Sequence, residues 1–324
     1  MAKAIRIHRA GGPEEMRYED IVIVAPDEGE VQVRHTAVGL NYIDVYDRTG
    51  LYPMPLPGSL GREAAGVVTA VGRKIKDFRP GDRVAYVHTV PGSYCEVRNL
   101  PAARLVKLPR SVSDEQAAAL MLKGLTAEYL LRRTYRVQRG DWILVHSAVG
   151  GVGLILCQWA KALGAKVIGV VGSEAKVALA KKSGCKHVLV MGRDKIAESV
   201  RRLTQGAGVR VVYDSVGKDT FMESLDCLAP LGMMVSYGNA SGPPPAISPL
   251  ELSKRGSLFL TRPSLFAYIA QRTDLDAAAK ALFGALSSKK FKLHVGQRYA
   301  LADAARAHRD LEARKTTGST VLIP

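Results

Sequence analysis

Cysteine is scarce in this chain of 324 residues: Cys95, Cys157, Cys185 and Cys227 are far apart and form no CxxC pair. That argues against a disulfide framework and against a structural zinc site, leaving free, buried or half-buried thiols as the expectation. Aromatic residues are few (6%), and acids fall 16 short of bases. Such an excess can serve nucleic acid or an anionic membrane. Here the cations are scattered as short pairs (Arg132-Arg133, Lys181-Lys182, Arg201-Arg202, Lys289-Lys290) with few aromatics among them. A solvated basic surface is therefore expected, and a dedicated nucleic-acid site is not. Long apolar runs are also missing. The longest, Trp142 to Ala160, contains His146, Gln158 and three glycines, so it fails as a membrane span. The first residues, Met1-Ala2-Lys3-Ala4-Ile5-Arg6, carry no apolar signal core, which points to the cytosol. Internal repeats and low-complexity tracts are absent.

What is present fits a globular protein: 47% hydrophobic and 23% charged residues, with mean hydropathy near zero. The length favours two domains. Residues 3–8 and Glu30–Val38 alternate like strands, and Glu63–Gly72 and Asp82–Val87 read as further strands bounded by glycine. Asn41 to Arg48 reads as a short helix closed by Gly50, and Pro53, Pro55 and Pro57 impose a rigid loop. This half describes a small all-β domain of barrel type. Ser113-Asp114-Glu115-Gln116 resembles a helix start, with a helix over 117–131. From Gly140 strands alternate with helices: 143–145, 166–171, 187–190, 209–213 and 233–237 are the strands. That alternation predicts a parallel doubly wound sheet, so the fold class is α/β. The last segment, with a helix from Leu275, a strand near Phe291–His294, a helix over 302–313 and a terminal strand at 321–323, is expected to rejoin the first domain.

The most informative stretch is Ser147-Ala148-Val149-Gly150-Gly151-Val152-Gly153, between an apolar strand and a helical pattern. Such glycines let backbone N–H groups approach a diphosphate at the positive end of a helix dipole. The next strand ends at Gly172-Ser173, nineteen residues after Gly153. NAD enzymes often place an acid there, but these two residues carry none and Lys176 follows, which favours a cofactor with an extra phosphate.

The run Gly140-Asp141-x-x-Leu144-x-x-x-Ala148-Val149-Gly150-Gly151-x-Gly153-x-x-x-x-Gln158-x-x-Lys161 resembles the signature of the quinone oxidoreductase/zeta-crystallin branch of the medium-chain dehydrogenase/reductase family. Val149 stands where a smaller residue is usual. The resemblance extends to Gly11-Gly12-Pro13-Glu14, Gly39–Asp44, Gly61–Gly66, Gly81–Val84, Lys123–Thr126, Val212–Gly217 and Gly318-Ser319. It implies a GroES-like β-barrel catalytic domain (1–124, completed by about 265–324), a Rossmann NADPH-binding domain (125–264), and NADPH in a cleft. It implies metal-free, NADPH-dependent reduction of quinones by hydride transfer, in a homodimer paired through edge strands of the Rossmann sheets. Reduction of α,β-unsaturated carbonyls is the alternative on the same fold. A nucleic-acid-binding, zeta-crystallin-like protein is a remoter one. Zinc-dependent relatives have a cysteine within the segment matching Gly39–Asp44 and a histidine before Glu63; this chain has Asn41 and Arg62 there, so no zinc is expected.

The resemblance assigns Asn41 and the Tyr46 hydroxyl as orienting groups near nicotinamide and substrate, with Tyr52 as pocket wall; edge packing is the alternative for the tyrosines. It places Gly151 and Val152 at the diphosphate, and Lys123, Thr126 and Tyr129 along the cleft. Gly172, Ser173 and Lys176 match the 2′-phosphate pocket, though a solvated helix lysine is the plainer reading of Lys176. A tyrosine commonly follows the third strand in the family; Met191 stands there instead, and Arg193, two residues on, is read as a substitute cation, with a plain surface arginine as the alternative. Ser215, Val216, Gly238, Asn239 and Ser241 match strand ends that contact the nicotinamide ribose and amide. His146 is expected to be a satisfied core histidine.

Overall fold

The computed structural model describes all 324 residues and divides into two compact units. One comprises Met1–Leu125, Ile269–Phe283 and Leu293–Pro324; the other comprises Thr126–Tyr268 and Gly284–Lys292.

The first unit begins with β1 (Ala2–Ile7), β2 (Arg17–Ile21), β3 (Glu30–Leu40), β4 (Gly58–Ser59), β5 (Glu63–Val71), β6 (Arg83–Val87), β7 (Val97–Pro101) and β8 (Leu105–Lys107). The second holds β9 (Trp142–Val145), β10 (Lys166–Val171), β11 (Cys185–Val190), β12 (Val209–Asp214), β13 (Leu228–Ser236) and β14 (Phe259–Thr261). The chain then returns to the first with β15 (Val295–Ala300) and β16 (Ser319–Ile323).

In the first unit a seven-stranded sheet runs β15-β16-β3-β5-β6-β8 with β7 also on β3, beside a three-stranded sheet β2-β1-β4. β3 buries Val31, Val33, His35 and Ala37 in alternation, as one core-facing side requires. Its core gathers Ile5, Val33, Leu60, Val84 and Tyr86 with Leu301 and Leu322 from the returning segment, so the chain's end completes the first core.

In the second unit six strands run β11-β10-β9-β12-β13-β14, all parallel. Val167 to Val171 are all buried, the pattern of a strand covered on both faces. Parallel pairing sends every carboxyl end to one edge, where ligands of open α/β sheets bind. No helix is long and apolar enough to cross a membrane.

Two readings need correction. The strand expected near Phe291–His294 lies at Val295–Ala300, because Phe291 is buried against Trp159 (ring centroids 5.7 Å) instead of pairing. The helix expected over 117–131 is split into Asp114–Ala118 and Met121–Tyr129, followed by a π-helical turn at Leu130–Thr134. At the break the Leu122 N–H donates to Glu63 Oε2 (2.6 Å) and Ser319 Oγ donates to the Ala119 carbonyl (2.9 Å). Side chains thus take over groups that a continuous helix would pair internally.

Candidate functional site

In the first unit Asn41 caps the helix Tyr42–Thr49, which ends at Gly50 with φ +80°. The Asn41 N–H donates to Asp44 Oδ2 (2.9 Å), and its Nδ2 donates to Glu63 Oε1 (2.8 Å). Glu63, fully buried, also accepts from Lys123 Nζ (3.1 Å) and from the Leu122 N–H. Lys123 Nζ donates as well to the Leu40 carbonyl (3.0 Å). Gly39 makes room for this carboxylate: a Cβ there would lie 2.3 Å from Glu63 Oε1. The structure therefore joins Asn41 and Lys123 through a glutamate to which the sequence reading gave no role. Its signal was the acid in Gly61-Arg62-Glu63, noted only as a marker of what precedes it.

Tyr46 is buried, with its ring edge-on to Tyr52 (centroids 5.2 Å) and tilted against Tyr42 (5.5 Å). The Tyr52 N–H donates to the Tyr46 carbonyl (3.1 Å), so the loop and helix are tied where the rings meet. The same helix is anchored from below by an ordered chain of hydrogen bonds. Arg48, 1% exposed, donates to His308 Nδ1 (3.0 Å) and to both oxygens of Glu312 (2.9 Å each). An acceptor at Nδ1 leaves Nε2–H to donate to the Tyr94 hydroxyl (3.1 Å), and that hydroxyl donates to Asp44 Oδ2 (2.9 Å). Burial, then the Arg48 charge, drives the His308 pKa down to about 3. Burial, then the Asp47 charge, pushes Asp44 up to about 7.

The sequence resemblance sets Arg62 against a histidine of zinc-dependent relatives. Its Nε and Nη2 clasp Asp47 at 2.8 and 2.6 Å, and Nη1 donates to the Thr89 carbonyl. A guanidinium has no lone pair to offer a metal. No group of three or more His, Cys, Asp or Glu gathers where it could hold an ion.

In the second unit the glycine turn follows β9. Ser147 has φ +51°, and its carbonyl accepts from the Gly150 N–H (2.9 Å). Gly150 caps the helix Gly151–Ala162 without any side-chain acceptor, so Gly151 and Val152 lie in an uncapped first turn. Gly153 lies so close to the turn that a Cβ would stand 2.2 Å from the Ser147 carbonyl oxygen. An uncapped N-terminus with a glycine-only approach fits a dinucleotide diphosphate.

β10 opens onto Gly172 and Ser173, both exposed, with space around the Cα of Gly172. Lys176 is half-buried in the short turn that follows. The Met191 N–H donates to the Val171 carbonyl (2.9 Å), which sets the ends of β10 and β11 side by side, and the Met191 side chain packs on the core. Arg193 is not an open cation: it pairs with Glu174 through Nη1 and with Asp194 through Nη2 (2.9 Å). Glu174, the residue after Ser173, had no role in the sequence reading.

After β12 and β13, two loops are zipped together. Asp214, fully buried, accepts from the N–H groups of Val216 (2.7 Å) and Gly217 (3.1 Å) and from the hydroxyls of Thr220 (2.7 Å) and Ser224 (3.1 Å). The Ala240 N–H donates to the Ser215 carbonyl (3.1 Å), and Ser241 donates to the Val216 carbonyl from N (2.8 Å) and Oγ (3.0 Å). Gly238 permits the contact, since a Cβ there would sit 2.5 Å from the Ser215 carbonyl oxygen. Ser215, Val216, Gly238, Asn239 and Ser241 thus form one platform, with the Ser241 hydroxyl turned into it. Thr126 is buried, and Tyr129 is buried and stacked on Tyr268 (4.4 Å, 11°). His146 is buried and only half satisfied: Nε2 meets Ser224 Oγ (2.9 Å), while Nδ1 has no partner.

Comparison with known proteins places both units. Residues 27–137 match the alcohol dehydrogenase GroES-like domain, and 151–283 match the zinc-binding dehydrogenase model. The chain is 50% identical to the quinone oxidoreductase of Pseudomonas aeruginosa over the full length of both. It is 44% identical to a 2-haloacrylate reductase of Burkholderia sp., over 100% of this chain and 99% of the relative. The crystal structure of Escherichia coli quinone oxidoreductase complexed with NADPH matches at TM-score 0.98 and 48% identity, covering both chains completely. A GroES-like unit, a Rossmann unit and full-length identity of about half together make the chain a member of the quinone oxidoreductase branch of the medium-chain dehydrogenase/reductase family.

Proposed function

We propose that this chain reduces quinones with NADPH. The observation that carries the reading is the uncapped glycine turn at Gly150–Gly153, of the kind a dinucleotide diphosphate needs, in a chain half identical to quinone oxidoreductases. The alkenal and enoyl alternative has support in the 2-haloacrylate reductase relative, but at lower identity and, for a solved structure of that name, TM-score 0.88 against 0.98.

When bound, the dihydronicotinamide supplies a hydride, and with one proton from solvent the quinone becomes a hydroquinone. The N–H groups of Gly151 and Val152 hold the diphosphate. Gly172, Ser173 and Lys176 take the 2′-phosphate, with Arg193 beside them. Ser215, Val216, Gly238, Asn239 and Ser241 present the platform for the nicotinamide ribose and amide, and Lys123, Thr126 and Tyr129 complete the cofactor's surroundings. Asn41, held by Glu63, and the Tyr46 hydroxyl orient the reacting groups, and Tyr52 walls the pocket. A hydroquinone oxygen is only weakly basic, so hydrogen bonds and placement suffice where alcohol chemistry needs a Lewis acid.

The chain acts as a homodimer. Edge strand β14 exposes Phe259 (56%) and Leu260 (40%), an apolar edge that pairing with a second copy would cover. Light scattering at micromolar concentration reads the mass. The test of function is NADPH oxidation with a benzo- or naphthoquinone, set against an alkenal and a 2-haloacrylate. Failure with every quinone while an unsaturated acid turns over transfers the assignment to the alternative.

A further inference from the structure

We propose that Glu174 sets the balance between NADPH and NADH, by holding Arg193 in an ion pair that the 2′-phosphate must take over. This rests on the reading that the 2′-phosphate lies at the end of β10. The two loops involved are neighbours, since the Met191 N–H donates to the Val171 carbonyl. From the β11 side, Arg193 reaches Glu174 on the β10 side.

The two carboxylates on Arg193 are held differently. Asp194 is fixed: Oδ2 accepts the Val190 N–H (2.7 Å), while the carboxylate receives Arg193 Nε (3.1 Å) and Nη2 (2.9 Å). It locks one edge of the guanidinium. Glu174 takes the remaining edge, Nη1, from an exposed position (side chain 69% exposed) on a three-residue turn. Exposed ion pairs are weak and give way readily. A phosphate is a stronger acceptor with more charge, and a guanidinium edge already aimed by Asp194 is prepared for it. The 2′-phosphate would occupy the position Glu174 now fills.

Charge sharpens the point. Lys176 and Arg193 are balanced locally by Glu174 and Asp194, so the pocket offers a phosphate dianion little net attraction while Glu174 remains. NADH has nothing to exchange. Moreover, Glu174 is twenty-one residues after Gly153, near the place where dinucleotide folds put the acid that binds a ribose 2′-hydroxyl. The same carboxylate thus restrains NADPH and leaves NADH acceptable.

The experiment measures dissociation constants of NADPH, NADH and 2′,5′-ADP by titration of the free protein, for wild type, Glu174→Gln, Arg193→Met and the double variant. Glu174→Gln should bind NADPH and 2′,5′-ADP about three- to tenfold tighter, with NADH no tighter. In the Arg193→Met background that gain should largely disappear. An unchanged or weakened NADPH affinity in Glu174→Gln overturns the proposal. So does an equal gain without Arg193, which would make Glu174 a plain repulsive charge. Binding fragments rather than turnover keeps this separate from the quinone assignment: a chain that binds NADPH but reduces no quinone refutes only the latter.

Discussion

Gly153→Ala probes the cofactor turn directly. The new Cβ would lie 2.2 Å from the Ser147 carbonyl oxygen and 2.9 and 3.0 Å from the carbonyl carbon and Cα of Ala148. All three are backbone atoms, so no rotamer relieves the clash; the helix start or the turn must move by about 1 Å to restore contact distance. Overpacking of this kind costs about 1–3 kcal/mol of stability. The displaced N–H groups of Gly151 and Val152 should weaken NADPH binding by about one to two powers of ten. Two companions calibrate the series. At Gly150, φ is −74° and the new Cβ would stand 3.2 Å from the same oxygen, so Gly150→Ala should cost about threefold in affinity. At Gly284, in the helix Arg272–Ser287, nothing lies within 4 Å, so Gly284→Ala should leave binding alone and gain about 0.5–1 kcal/mol. NADPH titrations and denaturant melts give the order. If Gly153→Ala bound NADPH within twofold of wild type, the close-approach argument would fail.

Asp44→Asn tests the buried network by pH. A carboxyl raised from 3.8 to about 7 makes the folded state bind its proton more tightly, so this group's stability contribution is full below pH 4 and is lost as pH rises toward 7. The whole swing is on the order of 4 kcal/mol. Urea melts should therefore show Asp44→Asn gaining on wild type between pH 5 and pH 8, and a pH-independent difference refutes the raised carboxyl. Glu63→Gln leaves the Lys123 ammonium, 7% exposed, without its counter-charge. It should lose about 3 kcal/mol, partly restored by adding Lys123→Met, as chemical denaturation would read. Lys176→Ala should weaken NADPH about tenfold and spare NADH; equal loss for both cofactors in binding titrations removes Lys176 from the phosphate pocket.

Much of this architecture is written in local pattern. Val167–Val171 is a run of buried residues between Gly164 and Gly172, and the strand occupies it together with the exposed Lys166 before it. Ser113 and Gln116 form the reciprocal cap their spacing suggests, with Gln116 N–H to Ser113 Oγ at 3.1 Å and Ser113 N–H to Gln116 Oε1 at 3.0 Å. What local pattern does not hold is long-range. Arg48 and Glu312 are 264 positions apart, and nothing near either one marks it as half of a part-buried ion pair. The last-segment strand is expected a few residues too early, at Phe291–His294, because Val295-Gly-Gln-Arg-Tyr-Ala alternates half-buried with exposed residues at a sheet edge and has no apolar stripe to mark it. The break at Ala119–Leu120 depends on Glu63 and Ser319, both distant in sequence, so a helix-favouring stretch gave no warning of it.

The first unit also shows how an arginine is accommodated at Arg62, which the sequence resemblance sets against a histidine of zinc-dependent relatives. Replacing a ligand histidine by arginine would bury an uncompensated cation unless an anion met it, and burial without a partner is costly. Asp47 supplies that anion from the helix that carries Tyr46, one turn before Gly50, in a two-point clasp. The acid raises a second problem, because it lies near Asp44 and helps push that carboxyl toward neutrality. Tyr94 and the Asn41 N–H meet Asp44 from one side, while Arg48, through His308, holds the far end of the same chain. The charges inside this helix therefore form one linked set, whose common effect is to hold Asn41 and Tyr46 on a rigid element. Rigidity of that kind is what a reaction governed by placement requires from its protein.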